Sequence, residues 1–298
     1  MTKAQKLQAL HHVPKLTEAQ AESFLLKNGR DAANLVTAFR TSGVHRYLRE
    51  AMAKWPEDPQ VAFEALALAD LSSTERRQRV NAFKRAMPDN SVGNYLSAIQ
   101  HFRDGSREAA ISELETAFGK SKFDDMTLAR MQGNEEAYRG SGFSEAQSHV
   151  VAMFQLPLPL LNEMRFLSSQ MDELSQSYLQ EGDTASAEAT VRIALNLGEQ
   201  YRASGNALLV HQQLGWDIGQ NALRTLDPGS QFGDSGRSVQ DLLDSMNMQR
   251  REVSSLLKES VPLQDLMEPE DWVVYTDRMK MLGEPNAMRW LLAKYKGR

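Results

Sequence analysis

"LSQSYLQEGDTASAEATVRIALNLGEQY", residues 174–201, places a Gly-Asp pair between two runs rich in helix-favouring residues. Counting from Met171, the residues Leu174, Ser175, Tyr178 and Leu179 follow at i+3, i+4, i+7 and i+8, which is one face of an α-helix. Gly182 can take the left-handed backbone that closes a helix, and Asp183 or Thr184 can cap the next one. The second run sets Ala187, Val191, Ala194 and Leu195 on one face. Alanine at a crossing lets two helices approach closely, so the stretch predicts a helical hairpin.

The hairpin recurs. "VGNYLSAIQHFRDGSREAAISELETAF", residues 92–118, aligns on it with Ala98 at Ser175, Phe102 at Leu179, Gly105 at Gly182, Ala110 at Ala187 and Ala117 at Ala194. Looser copies carry Tyr138, Gly142 and Ala146, and, near the end, Trp272, Tyr275, Met279, Gly283 and Met288. "FLLKNGRDAANLVTAF", residues 24–39, has the same helix–Asn-Gly–helix form. Leu174, Tyr178, Gly182, Asp183, Ala187 and Ala194 resemble the tetratricopeptide repeat, a helix–turn–helix unit of about 34 residues. Trp272 fills the leading Trp position of the last copy, and Pro56 and Pro88 stand where the family closes a repeat. The two best copies cover about a fifth of the chain, at irregular spacing. The resemblance implies a scaffold and a binding style, since the family carries no chemistry of its own.

The expected fold is therefore all-α, an α-solenoid of antiparallel helix pairs of the tetratricopeptide-like kind. No stretch alternates apolar and polar residues between hairpin turns as strands would. "LPLPL", residues 156–160, forbids helix locally and predicts a hinge between two halves. The division read from the sequence is an N-terminal arm over 1–16, a helical-repeat half over 17–156 and a second over 157–298, with one continuous solenoid as the alternative. Residues 227–238, "DPGSQFGDSGRS", form the one convincing long loop, after which 239–260 returns to helix.

Composition narrows the function. A net charge of -5 offers no electrostatic reason to expect nucleic acid or an anionic membrane. The absence of cysteine removes disulfides, thiolate nucleophiles and Cys-based zinc sites. No run approaches the ~18 consecutive apolar residues of a spanning helix, and the start lacks the apolar core of a signal peptide. These features leave the compartment unassigned: cytoplasmic by default, extracytoplasmic if a leader or anchor has been removed.

No catalytic constellation emerges. Gly233-Asp234-Ser235-Gly236 matches the string around a chymotrypsin-like nucleophile, but a triad is defined by geometry, and the surroundings read as helical. A flexible loop with Asp234 or Ser238 capping the next helix is the expectation. No P-loop follows, and Gly140 and Gly142 form a lone G-x-G behind a helix. His11-His12 lacks ligand spacing, so no metal is expected. Arg76, Arg77, Arg79, Lys84 and Arg85 spread around a helix and read as a solvated face.

The expected function is a non-enzymatic interaction scaffold presenting a helical-repeat groove to a peptide or protein partner, with no catalytic residue, cofactor or metal. The alternative is an all-helical ligand-binding protein or enzyme with a cavity near loop 227–238. Val92, Tyr95, Ile99 and Phe102 are the candidate partner-binding wall, with plain core packing as the competing reading. Trp290 falls on the outer side of the last helix and is expected to dock against a second chain, or against residues 261–269 folded back. Members of the family that clamp acidic tails place Lys and Asn where this chain has Tyr95 and Ile99, or Asp172 and Gln176. An acidic ligand is accordingly not expected, because Asp172 would repel it.

Overall fold

The computed structural model describes residues 14–68, 71–203, 208–233 and 236–296. Among these the chain is all-α: fifteen helices and two isolated bridges, with no strand. An N-terminal group holds α1 (Glu18–Asn28), α2 (Ala32–Ser42) and α3 (His45–Lys54). The helices α4 (Pro59–Ala65) and α5 (Ser73–Ala86) lead into the pair α6 (Val92–Arg103) and α7 (Arg107–Phe118). Next come α8 (Thr127–Gly140) and α9 (Glu145–Phe154), then the long pair α10 (Leu160–Gln180) and α11 (Thr184–Ala203). The chain continues through α12 (Leu209–Leu223), α13 (Val239–Gln264), α14 (Pro269–Leu282) and α15 (Glu284–Tyr295).

The turn chemistry acts where the sequence places it. Gly105 and Gly182 adopt φ of 73° and 80°, a backbone that side chains resist, at equivalent points of the two hairpins. The Asp183 carboxylate accepts from the Ser186 amide at 3.0 Å and caps α11. Ala98, Ala110, Ala117, Ala187 and Ala194 are buried, as is Ser175. The closest crossing uses glycine instead. A Cβ on Gly198 of α11 would lie 2.5 Å from the Gly215 carbonyl oxygen of α12, so the two backbones meet without side chains between them.

The two best sequence copies are neighbours in space. Helix α6 packs on α10 and α7 packs on α11, although the hairpins are separated in sequence by α8 and α9; α10 then packs on α12. The intervening pair leaves this row: α8 packs against α2 and α9 against α14. The chain thus makes contacts well beyond the nearest-neighbour set of a simple stack.

Residues 155–159 are non-helical, and α10 starts immediately after Pro159. Two of three apolar clusters draw on both sides of this break: one runs from Ala62 to Leu243, another joins Val150 and Leu156 to Trp272 and Leu291. The third holds the N-terminal helices to Ala137 and Val151 of α8 and α9.

A buried ionic triad ties the N-terminal group to α4 and α8. Glu64 of α4 accepts from Arg40 of α2 at 2.8 Å and from Arg130 of α8 at 2.7 Å, with all three side chains 2–3% exposed. Arg40 also donates to Asn134 and Thr37, each at 3.0 Å. Burial pulls the Arg40 guanidinium below its usual range, and the Glu64 charge opposes that pull.

Candidate partner-binding surface

The predicted wall is covered by its own chain. Val92, Tyr95 and Ile99 are completely buried, and Phe102 is half-buried. The segment 119–126, which joins α7 to α8, crosses the start of that face, and α5 and α10 also pack on α6. Phe123 packs with its ring centre 6.3 Å from that of Tyr95 and 5.0 Å from that of Tyr201. The Lys122 carbonyl accepts from the Ser91 amide at 2.8 Å, and the Asn90 amide group donates to the Asp124 carbonyl, also at 2.8 Å. Gln200 of α11 locks the same segment by donating to the Lys120 carbonyl at 2.7 Å and accepting from the Tyr95 hydroxyl at 3.3 Å. Val92, Tyr95 and Ile99 are core residues here, as the competing reading had it, and only Phe102 reaches a surface cleft.

Trp290 sits half-buried at the rim of the C-terminal cluster, which includes Leu263 and Met267. The Arg278 guanidinium lies 5.7 Å from its ring centre and the Lys294 ammonium 5.4 Å. Met288, Leu291 and Tyr295 point inward and are buried. Helices α13 and α14 both pack along α15.

The open face lies on α10. Ser169, Glu173 and Gln176 are exposed along it, and a cleft opens on each flank. One, of about 350 Å³, runs between α10 and the α6–α7 turn and is lined by Phe102, Arg107, Gln170 and Leu174. The other, of about 240 Å³, runs between α10 and α12 and is lined by Arg165, Ser168, Asp172, Leu214, Asp217 and Ile218. A third cleft, of about 300 Å³, lies near the start of α10, between Phe63, Leu66, Leu96 and Leu160.

The α10–α12 cleft is electrostatically unfinished. Asp172 Oδ1 and Ser168 Oγ are buried atoms with no hydrogen-bond partner among the described residues. Burial pushes the Asp172 carboxyl up to about 6, and the neighbouring Glu173 charge adds to the rise. Asp217, across the cleft, is compensated by Arg250 at 2.8 Å. The Arg165 guanidinium is exposed and reaches Asn162, and no ion pair links it to Asp172.

Other polar clusters are joints or closed corners. His149 of α9 lies 3.0 Å from Glu135 of α8 through Nε2, and its Nδ1 is 2.7 Å from the Thr276 hydroxyl of α14. Lys280 of α14 completes the joint at 2.8 Å from Glu135. Burial alone would raise the Glu135 carboxyl, but His149 and Lys280 together bring it down to about 2. Asp125 Oδ2 stands 3.6 Å from Nε2 of the buried His211, beside Met126, whose φ of 59° is the one positive value at a non-glycine among the described residues. Burial lowers the His211 imidazole against the pull of Asp125, and the surrounding space is too tight for a water molecule.

Each member of the basic cluster has a partner. Arg77 pairs with Asp104, Lys84 with Glu113 and Arg85 with Glu57, while Arg76 and Arg79 donate to the Leu66 and Pro56 carbonyls. Ser238 caps α13 by accepting from the Asp241 amide at 3.1 Å. His11, His12, Asp234 and Ser235 lie outside the described residues. Among the described residues no three carboxylate or imidazole side chains converge as metal ligands would, and no helix is long and apolar enough to cross a membrane.

Sequence reasoning named Asp172 only as a source of repulsion and missed Ser168, Leu214 and Ile218. The available signal was Ser168 one turn before Asp172 on the same helix face. No family model, curated protein or solved structure matches this chain.

Proposed function

We propose that the protein is a non-enzymatic interaction scaffold built from tetratricopeptide-like helix pairs, and that it receives a peptide or protein partner along the exposed face of α10. The observation that carries this reading is the packing of the two repeat-like hairpins. Residues 92–118 and 171–197 are distant in sequence, yet first helix meets first helix (α6 on α10) and second meets second (α7 on α11). In repeat proteins this pairing leaves a continuous face of first helices for binding. Here α6, α10 and α12 form that row, the segment 119–126 covers the α6 end, and α10 remains open between two clefts. Outside the row, α8 packs on α2 and α9 on α14, so this pair links helices near both ends of the described chain.

A photo-crosslinking amino acid at Ser169 or Gln176, expressed in the native cells, tests the proposal. Both positions are expected to trap one and the same partner, while Met281 on α14, also exposed, traps none. Equal crosslinking from all three sites, or none from α10, would remove the basis for an α10 surface.

A further inference from the structure

We propose that the cleft between α10 and α12 is a binding site for a primary ammonium group, the side chain of a lysine in the partner peptide. The inference rests on the scaffold reading above and gives its ligand a chemistry.

Two atoms define the site. Asp172 Oδ1 and Ser168 Oγ, one helical turn apart on α10, are both buried acceptors that no group of the described chain satisfies. Ser168 is only 5% exposed, so its hydroxyl is enclosed by the cleft it lines. Buried polar atoms in native proteins are nearly always paired, and each orphan calls for an explanation. A bound donor supplies one for both atoms at once.

The donor must be cationic. Among the described residues, Asp172 is the carboxylate of the cleft with no cation on it, because Asp217 is already paired with Arg250, and Arg165, itself without a carboxylate partner, reaches toward Asn162. Glu173, the nearest charge on the same helix, is exposed and adds further negative potential. Burial and the Glu173 charge raise the Asp172 carboxyl, and a cation beside it would draw its titration down again.

The shape selects ammonium with an alkyl stem. Leu214 and Ile218, one turn apart on α12 and almost wholly buried, give the opposite wall a narrow apolar edge. A lysine stem can lie along such an edge while its head reaches a polar end. Its three N–H donors then meet Asp172, Ser168 and water. A cleft of about 240 Å³ admits one such side chain.

The test is nuclear magnetic resonance titration of the full chain with acetyl-Gly-Lys-Gly-amide, its norleucine counterpart and n-butylamine. The lysine peptide is expected to shift the resonances of α10 and α12 around Asp172 and Ile218, and the norleucine peptide to bind at least tenfold more weakly. Asp172→Asn, which keeps the shape and loses the charge, should lower lysine-peptide affinity tenfold or more. Butylamine binding as tightly as the peptide would keep the ammonium site and assign it to a free amine. Equal shifts from the lysine and norleucine peptides, or undiminished lysine binding by Asp172→Asn, would overturn the proposal. Partner crosslinking at Ser169 could survive that outcome, so the scaffold reading stands or falls separately.

Discussion

Replacing Glu64 by glutamine keeps the size of the side chain and removes the one negative charge between two enclosed guanidinium groups. Arg40 and Arg130 approach the same carboxylate oxygen at 2.8 and 2.7 Å, each with its side chain 2–3% exposed. Neither arginine can lose its proton or reach solvent without displacing α2 or α8, and Arg40 is further held by Thr37 and Asn134. The glutamine oxygen can still accept from both arginines, but it carries no charge, and its amide group brings donors to a place that supplies donors already. Breaking a buried pair from one side costs about 3–5 kcal/mol, most of it from the charge left behind. At about 2 °C per kcal/mol for a chain of this size, the melting temperature should fall by roughly 6–10 °C. Circular-dichroism melts and urea titration would measure it. Removing all three charges together (Arg40→Met, Glu64→Leu, Arg130→Met) should cost less than Glu64→Gln alone, because no charge is left unpaired. A Glu64→Gln variant within about 1 kcal/mol of the parent would refute the reasoning. It would mean that water reaches the guanidinium groups and screens them.

Two carboxylates should respond to pH with opposite signs. Asp172 titrates near 6 when folded against 3.8 as an isolated side chain, so the folded state holds its proton more tightly and loses stability as pH rises from about 4 to 6. The full shift corresponds to ~3 kcal/mol; with solvent reaching part of the group, Asp172→Asn should gain about 1 kcal/mol at pH 7 and nothing below pH 4. Calorimetry at both pH values decides it, and a gain that persists at pH 3.5 would contradict the cause. Glu135 is held at about 2, so its contribution is present above pH 4.5 and is lost as pH falls toward 2. Glu135→Gln should therefore cost about 2–3 kcal/mol at pH 7 and progressively less in acid, and a difference independent of pH would show that the His149–Lys280 joint is not its source. Gly198→Ala would set a Cβ 2.5 Å from the Gly215 carbonyl oxygen and force α11 and α12 apart, at a cost of ~1–3 kcal/mol in urea denaturation. Unchanged stability would show that the two backbones do not touch.

The elements legible in the sequence are those whose cause is local. Gly105 and Gly182 mark turns because their backbone excludes other residues, and Ala110 and Ala187 mark crossings because close approach needs a small side chain. The departure of α8 and α9 from the row was not legible. It depends on Arg130, Glu135 and His149, which look like ordinary surface residues until Arg40, Glu64, Thr276 and Lys280 are brought to them from far along the chain.

The candidate site follows the same division. Helical periodicity shows that Val92, Tyr95 and Ile99 share an apolar face, but it carries no information on what covers that face. The covering segment, 119–126, has no period of its own. The charge of Asp172 was readable, whereas its isolation is a property of α12 and of Arg250, which takes up Asp217 instead.

The joint at His149 also imposes an order on assembly during synthesis. Thr276 follows its partner by 127 residues, and Lys280 follows Glu135 by 145. At about 5–20 residues per second, a ribosome needs roughly 7–30 s to supply that second partner. Through that interval α8 can already dock on α2, because Arg40 and Glu64 precede Arg130. Its other side, with Met131 and the α9 residues Ala146 and Val150, waits uncovered around a glutamate and a histidine. A growing chain therefore carries a surface that is apolar at its edge and charged at its centre. The charges disfavour burial by any apolar stranger, and Lys280 and Thr276 are the groups that satisfy them.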